Sequence, residues 1–337
     1  MSHNNISIFV PHAGCPQQCS FCNQQTISGQ QYVPHRDDVI KVCSQAMEQI
    51  KHKSDTEIAF FGGSFTAIAR SYMLELLEAA KEFLGKDGFK GIRISTRPDF
   101  IDREVLDILK SYGVTAIELG AQSMVNKVLE ANNRGHSAED VYSASRLIKE
   151  YDFELGLQMM TGLYKSSYSD EEETMKKIME IMPDTVRIYP VVILEGTELA
   201  RLYKTHEYKL VSFEEMVRLC ADLIQMFEAW QIEVIKCGLH ASDGVEGEMI
   251  GGYYHPAFRE LCESEIYRRE MYWVLADYFS SVDVTSQEVA LKVNPSCISK
   301  AIGHKKSNIK YFKENYNIDI KVISDEKIPK YECEIRG

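Results

Sequence analysis

PHAGCPQQCSFCNQQ, residues 11–25, places Cys15, Cys19 and Cys22 within eight residues, with the spacing C-x3-C-x2-C. Four thiolates close a tetrahedral zinc site, and four also complete an ordinary four-iron cluster with one cysteine per iron atom. Three thiols leave one iron atom with an open position, at which it can bind a further ligand. The spacing therefore predicts an incomplete iron–sulfur site. The alternatives are a loop of unrelated thiols, or half of a zinc site that Cys237 and His240 complete.

The N-terminal sequence MSHNNISIFV lacks the basic segment and the long apolar run of a signal peptide. No stretch approaches the roughly 18 apolar residues that span a bilayer. We therefore expect a cytoplasmic protein with no membrane partner. In that compartment the nine cysteines stay reduced, so a cysteine cluster is expected to bind metal or take part in catalysis rather than form disulfides.

The charge is distributed unevenly along the 337 residues. The net charge is −12, which argues against a surface that is basic throughout. Residues 290–337, however, hold ten Lys or Arg and six Asp or Glu, whereas the rest of the chain holds 28 and 44. This asymmetry predicts a C-terminal segment that meets an anionic partner.

Strand and helix patterns alternate along most of the chain. Short apolar or β-branched runs predict buried strands at 6–10, 57–61, 91–95, 115–119, 154–159 and 185–191. Amphipathic patterns predict helices at 37–50, 71–84, 103–112, 137–151, 170–182 and 212–230. Six successive strand–helix units indicate parallel strands with right-handed crossovers. Both a doubly wound sheet and a (β/α) barrel are consistent with that pattern.

The cysteine spacing, with the aromatic Phe21 before the third cysteine, resembles that of the radical S-adenosylmethionine (radical SAM) superfamily. The resemblance implies a [4Fe–4S] cluster on Cys15, Cys19 and Cys22, and S-adenosylmethionine (SAM) bound at the open iron. It implies one-electron cleavage of SAM to a 5′-deoxyadenosyl radical, with an electron donor such as ferredoxin or flavodoxin. It also favours the barrel: an α/β fold with a partial (β/α)6 barrel whose cluster loop follows the first strand.

Polar residues near the ends of the predicted strands give further candidates for binding SAM. The segment FFGGSFT places Gly62, Gly63 and Ser64 where the superfamily binds the methionine amino group, and two glycines allow a close approach of the backbone. The other candidates are Ser95, Arg97, Glu118, Gln122 and Gln158, together with Phe21 in the cluster loop. The alternatives are structural: a loop cap for Arg97, and a polar network inside the barrel for Glu118 and Gln122.

Seven segments together resemble the radical SAM part of the Elongator catalytic subunit, over about residues 5–240. They are GCPQQCSFCNQ, FFGGSFT, ISTRPDFID, IELGAQSM, NRGH, LQMMTGL and VRIYPVVILEGTEL. That family modifies the wobble uridine of transfer RNA and carries an acetyltransferase domain. We expect no such domain here, because the sequence shows no glycine-rich acetyl-CoA loop. Oxygen-independent coproporphyrinogen oxidases share the cysteine spacing and the Gln-Ser pair.

The C-terminal segment 294–323 predicts a helix, a tight turn, a second helix and a strand. Its turn, IGHKKSNI, resembles the I-G-x-x-G-x-x-I core of a KH domain, which clamps single-stranded RNA. Gly303 matches, whereas Lys306 replaces the second glycine, and Lys305, Lys306 and Lys310 are expected to meet phosphates. The expected domains are a barrel at 1–245, a helical extension at 246–285 and a KH-like α/β appendage at 286–337.

Three hypotheses about function follow. The first is a radical SAM enzyme that modifies a base of transfer or ribosomal RNA, which the basic C-terminal segment favours. The second is a radical SAM enzyme acting on a small molecule, as coproporphyrinogen oxidase does, for which that segment would be dispensable. The third is an iron–sulfur RNA-binding protein without enzymatic activity, which would not cleave SAM.

Overall fold

The structure is a computed structural model of the chain that describes residues 4–10, 15, 18–23, 32–239, 243–281 and 288–336. Two compact units emerge from its internal contacts. The first, called here the barrel unit, comprises Met1–Val211 and Phe227–Tyr254, and the second, the C-terminal unit, comprises Ser212–Met226 and His255–Gly337. Within the described ranges, no helix has both the length and the apolar character needed to cross a bilayer.

Seven parallel strands form one sheet in the barrel unit, in the order β1-β2-β3-β4-β5-β6-β8. They are β1 (Asn4–Val10), β2 (Thr56–Gly62), β3 (Gly91–Thr96), β4 (Val114–Gln122), β5 (Glu154–Thr161), β6 (Thr185–Pro190) and β8 (Glu233–Cys237). Two short strands, β7 (Val192–Leu194) and β9 (Met249–Gly252), pair with each other in antiparallel fashion. The predicted partial barrel is confirmed.

In the described part of the chain, nine α-helices lie before residue 250. They are α1 (Arg36–Gln49), α2 (Arg70–Lys81), α3 (Arg103–Ser111), α4 (Asn126–Ala131), α5 (Ala138–Glu150), α6 (Tyr168–Ile181), α7 (Glu198–Lys204), α8 (Phe213–Ala229) and α9 (Asp243–Glu248). All six predicted helices are present, with ends within three residues of their predicted positions. The short helices α4 and α7 and the strands β7, β8 and β9 were not predicted from the sequence.

The apolar composition of the strands follows from their burial on both faces. All six residues of β3 are buried, as are the first five of β2. A parallel sheet covered on both faces is typically built from such continuous apolar runs. Side-chain caps fix the starts of several helices: Asp102 accepts a hydrogen bond from the Val105 N–H at 2.8 Å, and Ser137 and Ser167 each form a capping box.

The C-terminal unit has its own apolar core. Its long helix α10 (Phe258–Ser281) is followed by β10 (Glu288–Val293), α11 (Ile298–Ile302), α12 (Ser307–Tyr316), β11 (Asp319–Ser324) and β12 (Cys333–Ile335). Strand β10 lies between β11 and β12, and the buried side chains of Tyr267, Met271, Leu291 and Phe312 belong to one cluster. The predicted helix–turn–helix–strand order of residues 294–323 is confirmed. The predicted boundaries after residues 245 and 285 stay a prediction.

Candidate active site

The cysteine loop follows β1, and all three cysteines line one cavity of about 110 Å³. The chain beside them is held by backbone contacts: the Ser20 N–H donates to the Asn132 carbonyl at 3.1 Å, and the Ser20 carbonyl accepts from the Leu199 N–H at 2.8 Å. The Ser20 hydroxyl also donates to the Asn132 side chain at 2.8 Å. Residues 11–14, 16–17 and 24–31 of the loop lie outside the described residues.

Phe21 joins this loop to the barrel wall. Its ring packs against a cluster of apolar side chains that includes Val125, Val128, Leu163 and Met160. An apolar anchor between the second and third cysteines restricts where their thiol groups can lie. The loop is therefore positioned both by packing and by the backbone hydrogen bonds of Ser20.

The Gly62–Ser64 segment connects the ends of three neighbouring strands. Gly62 has a φ of +120°, and a Cβ there would lie 2.6 Å from the Val10 carbonyl oxygen, so only glycine is accommodated. The Gly63 N–H donates to that same carbonyl at 3.1 Å. The Ser64 hydroxyl lies 2.9 Å from the Thr96 hydroxyl and accepts from the Arg97 N–H at 3.1 Å. The segment lines the cavity beside the cysteines, and its role in binding SAM stays a prediction.

Arg97 brings a buried guanidinium to the cavity lining. Its Nε and Nη2 donate to the Asp99 carboxylate at 2.9 and 2.7 Å. Its Nη1 has no hydrogen-bond partner in the described chain, although the side chain is buried. A buried donor without a partner carries a desolvation penalty, so a ligand that accepts this hydrogen bond would be stabilised here.

Arg134 lies at the cysteine site, although no role was predicted for it from the sequence. Its Nη1 donates to the Cys19 sulfur at 3.3 Å and its Nη2 to the Gly120 carbonyl at 2.5 Å, while its Nε has no partner within the described residues. The side chain is buried. The NRGH segment was recognised as a motif, but periodicity does not show that an arginine after a helix turns inward.

Burial and the Arg134 charge lower the pKa of nearby His136 to about 4, so that imidazole is neutral.

Glu118 lies in a buried ion-pair network rather than among the residues that line either described cavity. Its carboxylate accepts from Arg187 at 2.7 and 2.8 Å, from Arg93 at 3.3 Å and from the Gln158 amide at 2.8 Å. Glycine at position 156 makes room for this arrangement, because a Cβ there would lie 2.8 Å from the Glu118 Cγ. These contacts form a structural network of the kind that the sequence left open as the alternative, and a role of Glu118 in binding SAM stays a prediction.

The same network fixes the amide of Gln158, which lies on the sheet beside Arg187. Gln158 Nε2 donates to Glu118 and also lies 3.3 Å from the Ser95 hydroxyl. Burial alone lowers the pKa of the Arg187 guanidinium, but the Glu118 carboxylate more than offsets that effect and the pKa is raised. Arg187 is therefore a fixed cation in the barrel interior.

A second cavity of about 270 Å³ adjoins the first, and six residues line both: Phe21, Cys22, Gly62, Ser95, Gln122 and Gln158. Four aromatic side chains are among its lining residues, including Phe9 and Phe61, whose ring centroids lie 6.3 Å apart. Arg187 lies over the Phe61 ring at 5.3 Å, and Tyr189 lines the cavity as well. Burial raises the pKa of the Tyr189 hydroxyl, so the phenol stays protonated at neutral pH.

The sequence profile of the radical SAM superfamily matches residues 9–178, about half of the chain. The chain belongs to the radical SAM superfamily. The profile of the radical SAM C-terminal domain matches residues 183–268. As a radical SAM enzyme the protein uses a [4Fe–4S] cluster and SAM, which confirms the cofactors predicted from the cysteine spacing.

Two curated relatives of this radical SAM enzyme share its barrel region. The tRNA uridine(34) acetyltransferase of Methanocaldococcus infernus is 28% identical over 207 residues, which cover 55% of this chain and 39% of that protein. Elongator complex protein 3 of Saccharomyces cerevisiae is also 28% identical over 207 residues, covering 55% and 37%. The chain is thus distantly related to their radical SAM region and spans less than half of their length.

Solved structures show the same fold. Elp3 of Methanocaldococcus infernus, with an N-terminal deletion, matches with a TM-score of 0.63 and 23% identity, over 80% of this chain and 64% of that one. Streptococcus suis SuiB bound to SAM matches with a TM-score of 0.51 and 15% identity, over 72% and 52%. Both likenesses concern the architecture of the radical SAM barrel.

The side chains at the cavity suit these two cofactors. Cys15, Cys19 and Cys22 all line this cavity, which suits a cluster in which each thiolate binds a different iron. Arg97 and Arg134 offer buried donors without partners, which suits a ligand bearing a carboxylate such as SAM. When bound, the cluster supplies the single electron that cleaves SAM.

Proposed function

We propose that this radical SAM enzyme modifies a single base of RNA, held in the aromatic cavity beside the cysteine loop. The cavity carries the proposal: it shares Cys22 with the cluster site, and its lining includes the aromatic rings of Phe9, Phe21, Phe61 and Tyr189. Aromatic side chains stack on the faces of unpaired bases. A base removed from its strand would lie here beside the site at which the radical forms.

The size of the cavity favours a base over a tetrapyrrole. Its volume of about 270 Å³ is slightly below the roughly 300–1,000 Å³ typical of sites for drug-sized ligands. A single planar ring with its ribose is smaller than such ligands, whereas the four linked rings of a coproporphyrinogen are larger. Phe9, Phe61 and Tyr189 therefore suit the first substrate class better than the second.

The relatives support RNA as the substrate class. One is named for uridine 34 of transfer RNA, and this chain matches it across the barrel region. The match covers 39% of that protein, so the proposal takes over the RNA substrate and not the acetyl transfer. Within this account, Phe21 and Gln122, which line both cavities, would separate the base from the methionine end of SAM.

The C-terminal unit supplies positive charge at the turn that resembles a KH core. Gly303 has a φ of +83°, and a Cβ there would lie 2.4 Å from the Ser307 hydroxyl. Lys305 and Lys306 both have left-handed backbone conformations, a region that favours glycine, and Lys306 stands where the KH core has its second glycine. Lys305, Lys306 and Lys310 are exposed, and no carboxylate of the described chain forms an ion pair with them. We propose that these three lysines contact RNA phosphates.

Mass spectrometry of nucleosides from total RNA, with and without the protein, tests the proposal. We expect one modified nucleoside to be lost when the protein is absent and restored when the parent is supplied. Replacing Cys19 with Ala should prevent restoration. An unchanged nucleoside profile in transfer and ribosomal RNA would contradict the proposal and favour a small-molecule substrate.

Charge reversal tests the RNA contact separately. Lys305→Glu, Lys306→Glu and Lys310→Glu together should weaken RNA binding strongly and flatten its dependence on salt by up to about two units, at roughly 0.7 per lost contact. The control reverses the same number of charges at the exposed residues Lys41, Lys51 and Lys86 of the barrel unit. Equal loss of binding in both variants would contradict a specific role for the turn.

A further inference from the structure

An exposed group of aromatic side chains lies on the C-terminal unit, away from its apolar core. Tyr272 and Trp273 on α10 are 39% and 68% exposed, and Tyr316 at the end of α12 is 46% exposed. With the half-buried Tyr311, they form what is called here the aromatic surface. Large clustered aromatic groups left in contact with water mark interaction sites more often than scattered single ones do.

The rings form a continuous set. The centroids of Tyr272 and Trp273 lie 5.5 Å apart, those of Tyr272 and Tyr316 5.9 Å, and those of Tyr311 and Tyr316 5.9 Å. The buried Phe312 connects this set to the apolar core, because its ring centroid lies 5.3 Å from that of Tyr311. Adjacent α10 and α12 therefore hold several ring faces at one surface.

Charge near the aromatic surface favours a polyanion as the occupant. Residues 300–313 contain five lysines and no Asp or Glu. Lys300 pairs with Glu263 and Lys313 with Asp319, which leaves Lys305, Lys306 and Lys310 without an ion pair in the described chain. Lys305 and Lys306 directly precede α12 and Lys310 lies in its first turn, and the same helix carries Tyr311 and Tyr316.

Two arginines of α10, Arg268 and Arg269, also lie near the aromatic surface. Arg268 lies over the Tyr311 ring at 4.7 Å and is bonded through two nitrogens to Glu265, which also accepts from Arg269 at 2.8 Å. Arg269 also donates to Asp222, so the two arginines offset the charges of Glu265 and Asp222.

We propose that the aromatic surface stacks the bases of single-stranded RNA whose phosphates contact Lys305, Lys306 and Lys310. Single-strand binders combine a basic track for the backbone with aromatic platforms for successive bases. From Lys306 to Tyr316 the helix rises about 15 Å, which separates a phosphate-binding end from a base-stacking end. The inference rests on the proposed RNA function and adds a second RNA-contacting element, distinct from the cavity that holds the modified base.

The chain contains two tryptophans, which makes a direct test possible. In full-length Trp230→Phe protein, Trp273 is the sole tryptophan. We expect a single-stranded 12-nucleotide oligouridylate to quench its fluorescence, and a duplex RNA of equal length to quench it far less. In Trp273→Phe protein, which retains an aromatic ring, Trp230 emission should stay unchanged while the RNA still binds.

Binding affinities complete the test. Trp273→Ala with Tyr272→Ala should weaken binding of the oligouridylate roughly 10- to 100-fold, the range for loss of a stacked base. Trp230→Ala, which removes a tryptophan that is also half exposed, should change it little. The slope of affinity against salt should stay unchanged in the aromatic variants, because no charge is lost. Circular dichroism and iron content check that every variant is folded.

Three outcomes would overturn the inference. RNA bound with normal affinity but without quenching of Trp273 would place the RNA elsewhere on the protein, and the proposed function would stand. Trp273 emission that changes on dilution without RNA would identify self-association as the role of this surface. No binding of single-stranded RNA by the parent protein would contradict the inference. Quenching without any modified nucleoside would instead retain this surface and contradict the proposed function.

Discussion

Arg134 is placed to raise the reduction potential of the cluster, because it donates a hydrogen bond at the cysteine site. Its guanidinium donates to the sulfur of Cys19, which is a predicted ligand of iron. Hydrogen bonds and positive charge at cluster sulfurs stabilise the reduced, more negative state and raise its reduction potential. The side chain is a positioning residue in this account, because it acts on the cluster through the thiolate.

Arg134→Gln should lower the midpoint potential of the reconstituted cluster. A hydrogen bond to a charged group is worth about 1.5–3 kcal/mol, which corresponds to about 60–130 mV for one electron. A redox titration followed by electron paramagnetic resonance, without SAM, measures the shift. Arg97→Gln serves as the control, because Arg97 bonds to Asp99. A potential that does not move in Arg134→Gln would contradict this role.

Replacing Cys15, Cys19 or Cys22 with Ala should abolish cluster assembly, because two protein thiolates hold four irons poorly. Iron and sulfide content after anaerobic reconstitution is the measurement. Cys43→Ala and Cys220→Ala are the controls, since both thiols are buried elsewhere and line neither cavity described above. Full iron content in any of the three motif variants would remove that cysteine from the site.

The three cysteines were predictable because their spacing is local, whereas the partners of Glu118 were not. Glu118 and Arg187 are 69 residues apart in sequence, and their contact depends on the register of β4, β5 and β6. The same limit explains Arg134, whose bond to Cys19 spans 115 residues. The roles predicted for Ser95, Arg97, Gln122 and Gln158 in binding SAM remain proposals, although all four line the cavity beside the cysteines.

At the scale of elements, the Glu118 network links β3, β4 and β6 across the barrel interior. Glu118→Gln should lower the free energy of unfolding by about 3–5 kcal/mol, because it leaves the buried Arg187 guanidinium without its carboxylate. Urea denaturation provides the measurement. Glu150→Gln, which disrupts an exposed pair with Arg103, should change stability by about 1 kcal/mol or less. Equal effects in the two variants would mean that the network contributes no more than a surface ion pair.

Helix α6 carries a buried carboxyl whose ionisation should affect stability. Burial raises the pKa of Glu171 to about 7, against its ordinary value of 4.5, despite hydrogen bonds at 2.8 Å from the Gly162 N–H and the Ser166 hydroxyl. The pKa is raised in the folded state, so the stability from the neutral carboxyl is complete below pH 4.5. It is lost as the pH rises through 7.

Comparing the parent with Glu171→Gln measures this contribution. Relative to the variant, the parent should lose about 3 kcal/mol of unfolding free energy between pH 4.5 and pH 8. Denaturation in urea across that range is the measurement. Glu173→Gln on the exposed side of the same helix should reproduce the parent's profile. A parent profile parallel to that of Glu171→Gln would show that folding does not raise the pKa of this carboxyl.

Elements with strong periodicity were predictable, and the short ones were not. The six predicted strands are apolar runs that a parallel sheet buries on both faces. Strand β8, EVIKC, contains the charged residues Glu233 and Lys236, and it is the last strand in the order of the described sheet. Helices α4 and α7 have six and seven residues, too few for a helical period to be distinguished from a turn.

At the scale of the whole molecule, the proposed catalytic site and the proposed RNA contacts of the lysine turn lie in different units. The barrel unit contains the cysteine loop, the cavity beside it and the larger aromatic cavity. The C-terminal unit contains the lysine turn and the aromatic surface, and its residues from 290 onward carry an excess of basic charge in an otherwise acidic chain. The basic segment would offset the repulsion between an acidic protein and RNA.

The most direct test of radical SAM chemistry at this site is the production of 5′-deoxyadenosine under anaerobic conditions. The reconstituted protein is incubated with SAM and dithionite, and the products are quantified by liquid chromatography with mass spectrometry. We predict 5′-deoxyadenosine and methionine from the parent, faster when substrate RNA is added, and neither product above background from Cys19→Ala. A parent protein that holds a full cluster and binds SAM yet releases no 5′-deoxyadenosine, with or without RNA, would contradict the account.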